Sequence, residues 1–322
     1  MPTAAASVTA FVVSPPAGTL AGAFSARHAS AGRSPPTPAA ALLVSLGRWS
    51  SPLGCHHLPA SPATLSPVSM AGDAPPTPVV TVGADGAAVG DTLGARVLAA
   101  AAAAVSARGV FRLAVSGGSL PKTLAAGLDG DKGDDMPWSS TIIYFADERV
   151  VPLTDDDSNY KLVADTLLAA RDGSGVQVVK LTEGLAPPAA AADYEEKLKG
   201  MDMADGVPVF DMILLGMGPD GHTASLFPGH PLLDVTDMAV ASITDSPKPP
   251  PGRITLTLPV LNAGRNVLFV TTGGGKAEVL HEIFHGSKDV LLPAARVRPE
   301  TGVEWLLDAP AAAQLSSPFV AA

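Results

Sequence analysis

The stretch from residue 210 to residue 227 reads FDMILLGMGPDGHTASLF, and it limits the fold more than any other part of the chain. A short apolar run, Met212–Leu215, ends in a turn broken by glycines, which presents Asp220 and His222 two residues apart. A strand that stops in such a loop is typical of the carboxyl edge of an open α/β sheet. Histidine titrates near neutral pH, and a neighbouring carboxylate orients it and raises its basicity. The segment therefore predicts a strand followed by an acid–base pair.

Residues 216–221 also match the dinucleotide-binding pattern G-x-G-x-x-G. That kind of site needs a long helix directly after the glycines, with free amide donors aimed at a pyrophosphate. Here Pro219 removes one donor and Asp220 brings negative charge to the place of the phosphates. Pro228 and Pro231 would also end such a helix early. We therefore expect no nicotinamide or flavin cofactor.

Strand and helix patterns alternate from about Val79 onwards, with Ser158 as a predicted N-cap and Gly109 and Gly286 as stop signals. Strands are predicted at residues 111–115, 141–146, 176–181, 210–215, 239–243 and 267–271, and helices at 89–107, 159–170, 189–199 and 276–285. This alternation predicts an α/β fold with a mostly parallel sheet and helices on both faces. One domain, residues 73–322, accounts for all of these elements.

Residues 1–72 differ in composition from the rest of the chain. They contain no Asp or Glu, three arginines and abundant Ala, Ser and Pro. This composition is typical of a transit peptide, and such a segment buries too little apolar surface to fold. We expect a disordered leader that directs import into the chloroplast stroma. The alternatives are a disordered tail with no targeting role, or translation from Met70, which would leave a cytosolic product.

The composition of the remaining chain argues against several classes of protein. Without the leader it retains 18 of the 21 basic residues and all 31 acidic residues, a net charge of −13. Such a surface repels nucleic acid and anionic membranes, so neither is an expected partner. The single cysteine, Cys55, lies in the leader, which excludes a disulfide, a thiolate nucleophile or a cysteine–zinc site from residues 73–322. We expect no apolar run to reach the roughly 18 residues that a membrane span needs.

Residues 281–285, HEIFH, match the zinc-protease pattern H-E-x-x-H. Helix periodicity places neighbouring apolar residues on the buried stripe and turns His281, Glu282 and His285 outward. A zinc site also needs a cleft and a third ligand. We therefore predict no metal site, and the sequence contains no G-x-S-x-G nucleophile motif either.

The loop of residues 116–119, SGGS, follows a predicted strand. Glycine lets the backbone approach a ligand closely, while amides and hydroxyls donate hydrogen bonds. Gly117, Gly118 and Ser119 are therefore candidate phosphate ligands. The alternative interpretation is an ordinary turn between strand and helix.

Asp147, Glu148 and Arg149 also follow a predicted strand. Charges crowded at a strand end resist burial unless they are paired or functional. We take Asp147 and Arg149 as candidate site residues, with a solvated loop as the alternative.

Further cations lie in two stiff or glycine-rich loops. Lys248 and Arg253 flank a polyproline spacer that favours clamping of an anion, and Lys276 follows three glycines at a predicted helix start. The alternative for each is a solvated surface cation. Taken together, the loops predict a site for a sugar phosphate and a reaction of proton transfer or water attack.

These motifs resemble the glucosamine-6-phosphate isomerase/6-phosphogluconolactonase family over about residues 78–310. The matching blocks are residues 113–121, 144–151, 158–160, 215–228, 248–262 and 272–276. GMGPDGHTASLFPGHP is specific for the lactonase branch, whereas the sugar-isomerising branch shares Asp-Gly-His but carries different residues after it. Leu120 stands where the family usually has Thr, and Gly252 stands where Glu is common.

The resemblance implies a Rossmann-like fold and hydrolysis of 6-phospho-D-glucono-1,5-lactone to 6-phosphogluconate, the second step of the oxidative pentose phosphate pathway, without metal or organic cofactor. His222 would be the general base and then the acid, Asp220 would orient it, Arg149 would stabilise the anionic intermediate, and Asp147 would hold Arg149. The expected phosphate ligands are Gly117, Gly118, Ser119, Arg253 and Lys276, with Lys248 as a further substrate contact. The rival functions are a glucosamine-6-phosphate deaminase and a non-catalytic sugar-phosphate sensor. The expected assembly is a monomer or a weak homo-oligomer.

Overall fold

The fold is that of a computed structural model, which describes residues 76–286 and 291–316. The predicted leader, residues 1–72, lies outside the described residues. The strands are β1 Val79–Gly83, β2 Phe111–Val115, β3 Thr141–Phe145, β4 Asp147–Arg149, β5 Gln177–Val178, β6 Met203–Ala204, β7 Val207–Pro208, β8 Met212–Leu215, β9 Val240–Ile243, β10 Arg253–Leu256, β11 Val267–Thr271 and β12 Val303–Asp308. The helices are α1 Gly86–Arg108, α2 Leu120–Gly127, α3 Asp131–Asp134, α4 Asn159–Thr166, α5 Pro187–Lys197, α6 Leu258–Asn262 and α7 Ala277–His285.

Seven of the strands form one parallel sheet in the order β1-β12-β11-β8-β2-β3-β5. From β2 the chain builds outward to β3 and β5, and from β8 it builds outward in the other direction to β11 and β12. The strand order therefore reverses between the neighbours β2 and β8. In open α/β sheets the loops at the carboxyl ends of such neighbours separate and leave a crevice for ligands.

Helices cover both faces of this sheet, as predicted. Side chains alternate between the faces of a strand, so Leu113 and Val115 of β2 belong to one apolar cluster and Ala114 to the other. The first cluster contains buried residues of α1, α2 and α4, and the second contains those of α5, α6 and α7. The protein therefore has the three-layer α/β architecture expected from its sequence pattern.

Helix α1 corrects one expectation about membranes. Among the described residues it is a helix long and apolar enough to cross a bilayer, although no such run was expected. Alanine makes this segment apolar, and Arg96 and Arg108 are its basic residues. Its residues Val89, Leu93 and Val97 are buried in the cluster that also contains strands β2, β3 and β8. This packing is that of a core helix in a globular domain.

The parallel sheet does not include every predicted strand. Residues 239–243 correspond to β9, which pairs antiparallel with β10, and β10 pairs antiparallel with β4 in a separate three-stranded sheet. Strands β10 and β12 were not predicted. The predicted strand 176–181 shortens to Gln177–Val178, and the predicted helix 159–170 ends at Thr166. Strand β4 follows β3 after one residue, so the chain passes from the large sheet to the small one directly beside the carboxyl edge.

Candidate active site

A cleft of about 240 Å³ opens at the carboxyl edge of the parallel sheet. Its walls are the loops that follow β2, β8 and β11, together with strand β4 and the first residue of β10. The cleft lies at the reversal of strand order, where the fold predicts a ligand. The predicted site residues that line it are Gly117, Gly118, Ser119, Asp147, Arg149, His222, Arg253 and Lys276.

Asp220 and His222 form the predicted pair. Nδ1 of His222 lies 2.5 Å from Oδ1 of Asp220, and the ammonium of Lys248 donates to the same carboxylate oxygen at 3.2 Å. The Lys248 Nζ atom is also 3.0 Å from Nδ1. Nε2 of His222 makes no hydrogen bond within the described part of the chain. The His222 ring lines the cleft, with Nδ1 hydrogen-bonded to Asp220 and Nε2 available to a ligand.

The charges around the pair fix its protonation. Burial raises the pKa of Asp220, but the hydrogen bond and charge of His222, together with Lys248, outweigh this and lower the pKa to about 2. Burial lowers the pKa of His222 from 6.5, and Lys248 adds to this, while Asp220 and Asp147 oppose it. At neutral pH Asp220 is therefore ionised and His222 is neutral. Since an ionised carboxylate only accepts, Nδ1 carries the ring proton and Nε2 presents a lone pair.

The backbone around His222 fits the ring closely. A Cβ at Gly218 would lie 2.0 Å from both Cε1 and Nδ1 of His222, so only glycine leaves room for the imidazole. On another side the ring stacks on Phe227, with centroids 4.9 Å apart. Ala224, which lines the cleft, has a φ of 47°, a strained value for a residue with a Cβ. The rotamer of His222 is therefore set by its surroundings rather than by solvent.

Asp147 and Arg149 both reach the cleft, but they are not paired as expected. The Asp147 carboxylate accepts a hydrogen bond from Ser225 Oγ at 2.9 Å, and Arg149 donates from Nη1 to the carbonyl of Asp157 at 2.8 Å. Alternate side chains of a strand share a face, but within the described residues no ion pair joins the Asp147 carboxylate to Arg149. The expectation that Asp147 holds Arg149 is therefore wrong: a serine from the β8 loop holds Asp147.

Glu148, between them, is a residue that the sequence interpretation left out of the site. It is fully buried and accepts hydrogen bonds from the backbone N–H groups of Arg149, Asn159 and Tyr160. Burial raises its pKa to about 7, although these three donors oppose the shift. The structure confirms Ser158 as the N-cap of α4. This signal in the sequence indicated a helix start whose first N–H groups need acceptors, which is the need that Glu148 meets.

Arg253, the first residue of β10, lies opposite Arg149 of β4 in the antiparallel register. Its guanidinium donates to the carbonyls of Lys248, Pro249 and Pro250 at 2.9–3.0 Å and to Ser225 Oγ at 3.4 Å. A guanidinium has five N–H donors, so one Nη1 N–H remains for a ligand. Arg253 therefore fixes the polyproline loop, and its predicted contact with phosphate is restricted to that remaining donor.

Several polar atoms along the cleft lack partners within the described residues. They are Oγ of Ser116, Nε of Arg149 and Oγ1 of Thr271, all buried and all in cleft-lining residues. The ammonium of Lys276 likewise forms no hydrogen bond or ion pair there, and burial and the nearby Lys248 lower its pKa, while Asp220 opposes this. Buried polar groups without partners are costly, so this wall of the cleft is suited to a polar anionic ligand.

The glycine loop after β2 is open to this wall. Gly118 has a φ of 74°, and Ser119 is exposed and begins α2 without using its hydroxyl as a cap. Leu120, which departs from the family pattern, is buried in the apolar cluster of α2.

Two sequence motifs that are typical of other functions are the zinc-protease pattern of residues 281–285 and the dinucleotide pattern of residues 216–221. His281, Glu282 and His285 are exposed on α7, and within residues 76–286 and 291–316 no three His, Cys, Asp or Glu side chains group as metal ligands. After the glycines of residues 216–221 no helix follows up to the short 3₁₀ turn Pro231–Asp234. The outward orientation predicted for the three α7 residues is confirmed, and the glycines of residues 216–221 are not followed by the long helix of a dinucleotide site.

Comparison with known proteins agrees with this geometry. The sequence profile of the family "Glucosamine-6-phosphate isomerases/6-phosphogluconolactonase" matches residues 84–306, which include every predicted site residue. The chain belongs to this family. Human 6-phosphogluconolactonase is 47% identical over 223 residues, which cover 68% of this chain and 86% of the human protein.

Two further members resemble the chain in sequence or in structure. "Probable 6-phosphogluconolactonase 3, chloroplastic" of Oryza sativa subsp. japonica is 42% identical over 225 residues, 66% of this chain and 69% of the rice protein. The crystal structure of 6-phosphogluconolactonase from Leishmania guyanensis superposes with a TM-score of 0.66 at 28% identity and covers 75% of this chain and all of that one. The fold class expected from the sequence is thereby confirmed.

Proposed function

We propose that the protein hydrolyses 6-phospho-D-glucono-1,5-lactone to 6-phospho-D-gluconate. The observation that carries the proposal is the state of His222, whose Nδ1 is bound to Asp220 and whose Nε2 faces a cleft that also contains Lys276; neither Nε2 nor the Lys276 ammonium has a partner among the described residues. An imidazole in this state is a general base, and Lys276 is suited to an anionic group. The relatives named 6-phosphogluconolactonase support this choice of substrate.

The reaction begins with attack of water on the lactone carbonyl. Nε2 of His222 takes a proton from the water as its oxygen bonds to C1, and Nδ1–H keeps its hydrogen bond to Asp220. The tetrahedral intermediate collapses by breaking the bond between C1 and the ring oxygen, which receives the proton from Nε2. The product carboxylic acid then loses its proton to solvent. A positioned base of this kind typically contributes about 10²–10⁴-fold to the rate.

Arg149 is the candidate for stabilising the negative charge on the carbonyl oxygen. Its Nε is buried and unpartnered, and its Nη1 is fixed by the Asp157 carbonyl, so the guanidinium is already oriented. Donors that are oriented before the reaction stabilise developing charge without reorganisation. Asp147, anchored by Ser225, supplies negative charge near His222 and stabilises the imidazolium that forms.

The phosphate would lie against Gly117, Gly118, Ser119 and Lys276, with the remaining N–H of Arg253. Lys248, whose ammonium bonds Asp220, is placed to contact the sugar hydroxyls once substrate enters. Binding of this remote group holds the carbonyl in place for attack, which converts binding energy into rate. No step of this mechanism requires a metal or an organic cofactor.

The test is an assay of the purified chain on freshly prepared 6-phosphogluconolactone, with glucosamine 6-phosphate in parallel. Hydrolysis of the lactone alone is expected. Turnover of glucosamine 6-phosphate would favour the deaminase, and binding of both without turnover would favour a sensor. His222→Asn is expected to lose most of kcat with an unchanged circular dichroism spectrum. A variant with nearly unchanged kcat would exclude the general-base role.

We also propose that residues 1–72 direct the protein to the plastid stroma, where it would act in the oxidative pentose phosphate pathway. The acid-free composition of this segment supports the proposal, as does the word "chloroplastic" in the names of the rice relative and of one from Arabidopsis thaliana.

A further inference from the structure

Residues 157–160, which we call the hub segment, contact three residues that line the cleft: Arg149, Asp147 and Gly117. The carbonyl of Asp157 accepts a hydrogen bond from Arg149 Nη1 at 2.8 Å. Asn159 donates from Nδ2 to the backbone carbonyl of Asp147 at 2.8 Å. Oδ1 of the same side chain packs against Gly117, where a Cβ would lie only 1.9 Å from it. One buried amide thus separates strand β4 from the 116–119 loop.

Glu148 holds the hub segment in place. Its carboxylate accepts from the N–H groups of Asn159 at 2.7 Å and Tyr160 at 2.8 Å, which begin helix α4, and from the N–H of Arg149 at 2.8 Å. Ser158 Oγ donates to the same carboxylate at 3.4 Å. These bonds link the start of α4 to strand β4 inside the protein, so the side chain of Asn159 has little freedom to move away from Gly117.

A role in stability alone does not account for this arrangement. Satisfying the free N–H groups of a helix start explains why Glu148 is there. It does not explain why the Asn159 side chain is directed at Gly117 and at the Asp147 carbonyl instead of into the apolar core. It also does not explain why the 116–119 loop has a glycine at the point where Asn159 contacts it. Both features relate to the spacing of the two walls of the cleft.

We propose that Asn159, held by Glu148, is a positioning residue that sets the distance between the 116–119 loop and strand β4. The inference rests on the proposed function, in which the substrate's phosphate contacts the loop and its carbonyl contacts Arg149. The spacing then decides whether one molecule reaches both walls. Asn159 touches neither reacting atom, so it acts through the two walls.

The test is a double-mutant cycle with Gly117→Ala, Asn159→Ala and the double variant. Alanine at 117 alone drives its Cβ into Asn159 and is expected to lower kcat/KM by about 100-fold, the typical effect of a displacement of about 1 Å. Asn159→Ala removes all three atoms nearest to that Cβ, namely Oδ1, Cγ and Nδ2. The double variant is therefore expected to be about tenfold more active than Gly117→Ala, since residues in contact do not behave additively.

The separate effects on KM and on melting temperature distinguish a positioning role of Asn159 from a role in stability alone. Asn159→Ala is expected to raise KM for the phosphorylated lactone by about tenfold and to leave the kinetics on unphosphorylated gluconolactone nearly unchanged, because only the first substrate spans both walls. Asn159→Gln, which keeps the amide but lengthens the side chain, should also raise that KM. A lowered melting temperature with unchanged KM in every variant would overturn the proposal, as would losses in the cycle that simply multiply.

This outcome is distinguishable from failure of the proposed function. If the wild-type protein does not hydrolyse the lactone, the proposed reaction is wrong, but the same cycle can be measured by titration with inorganic phosphate in a calorimeter. Because the proposed phosphate site includes both the 116–119 loop and Arg253, which pairs with β4, rescue of phosphate affinity in the double variant supports the spacing role of Asn159 independently of the reaction. Additive losses of affinity would overturn it.

Discussion

Replacement of Gly218 by alanine is expected to disable the imidazole without unfolding the domain. A Cβ at this position would lie 2.0 Å from Cε1 and Nδ1 of His222 and 2.5 Å from Oδ1 of Asp220. Ordinary van der Waals contact begins at 3.4 Å, so the ring must retreat by about 1.4 Å. Phe227, stacked against the ring, limits the directions in which it can move. The hydrogen bond from Nδ1 to Asp220 is then stretched or lost.

A displacement of about 1 Å at a reacting group costs about 100-fold in rate, or about 2.7 kcal/mol of transition-state stabilisation. We therefore expect Gly218→Ala to lower kcat/KM on fresh 6-phosphogluconolactone by at least that factor. KM should change less than kcat, because the phosphate contacts lie on other loops. The rate can be followed by titrating the acid released, with correction for spontaneous hydrolysis of the lactone.

Gly264→Ala is the matched control for simple steric damage. A Cβ there would meet Val267 Cγ2 at 2.8 Å and Ile213 Cδ1 at 2.9 Å, both apolar side chains outside the cleft lining. This variant should lose melting temperature and keep kcat/KM per folded molecule, whereas Gly218→Ala should do the reverse. If Gly218→Ala stays within twofold of the wild-type rate, the close fit of the ring does not matter for catalysis and the reasoning fails.

Four other outcomes are expected. Asp220→Asn removes the charge that raises the pKa of His222, so the acid limb of the kcat/KM–pH profile should move to lower pH at a reduced maximum rate; a move to higher pH would refute the assignment. Lys276→Ala should raise KM for the phosphorylated lactone, since a charge-assisted hydrogen bond is worth about 1.5–3 kcal/mol, and should leave gluconolactone unaffected. Arg253→Ala should also lower the melting temperature, because three loop carbonyls lose their donor; equal effects on both substrates would argue against phosphate recognition. Residues 1–72 fused to a fluorescent protein should enter plastids in plant cells, and even cytosolic fluorescence would contradict this.

The parts of the fold that local pattern determines were predicted well. Strand β2 and strand β11 have the bounds expected from their apolar runs, and the cap at Ser158 is where the sequence places it. Local pattern does not specify which sheet a strand joins, so β9 was placed with the parallel strands although its partner is β10. Strand β12 was missed because Glu304 and Asp308 leave only a three-residue apolar run between them, residues 305–307.

The contacts in the site also divide into those that local sequence predicts and those that it does not. Asp220 and His222 are two residues apart, and their pairing was predictable because sequence neighbours in a tight turn must meet. The partner of Asp147 is Ser225, which is 78 residues away in the chain and becomes a neighbour only when the loop after β8 packs against β4. The contact between Asn159 and Gly117 is of the same kind. Such contacts follow from tertiary packing, which residue patterns alone do not encode.

The position of strand β12 has a consequence for how the protein is made. It lies between β11 and β1, so within the described residues β1 pairs with a strand at the opposite end of the domain sequence, with Val79 opposite Glu304. Trp305, which stacks on Phe269 at 4.0 Å in the core, arrives equally late. Contacts between such distant parts of a chain form slowly and only once both ends are available. The β1 edge of the sheet is therefore unable to form until β12 has been synthesised, however early β1 itself is made.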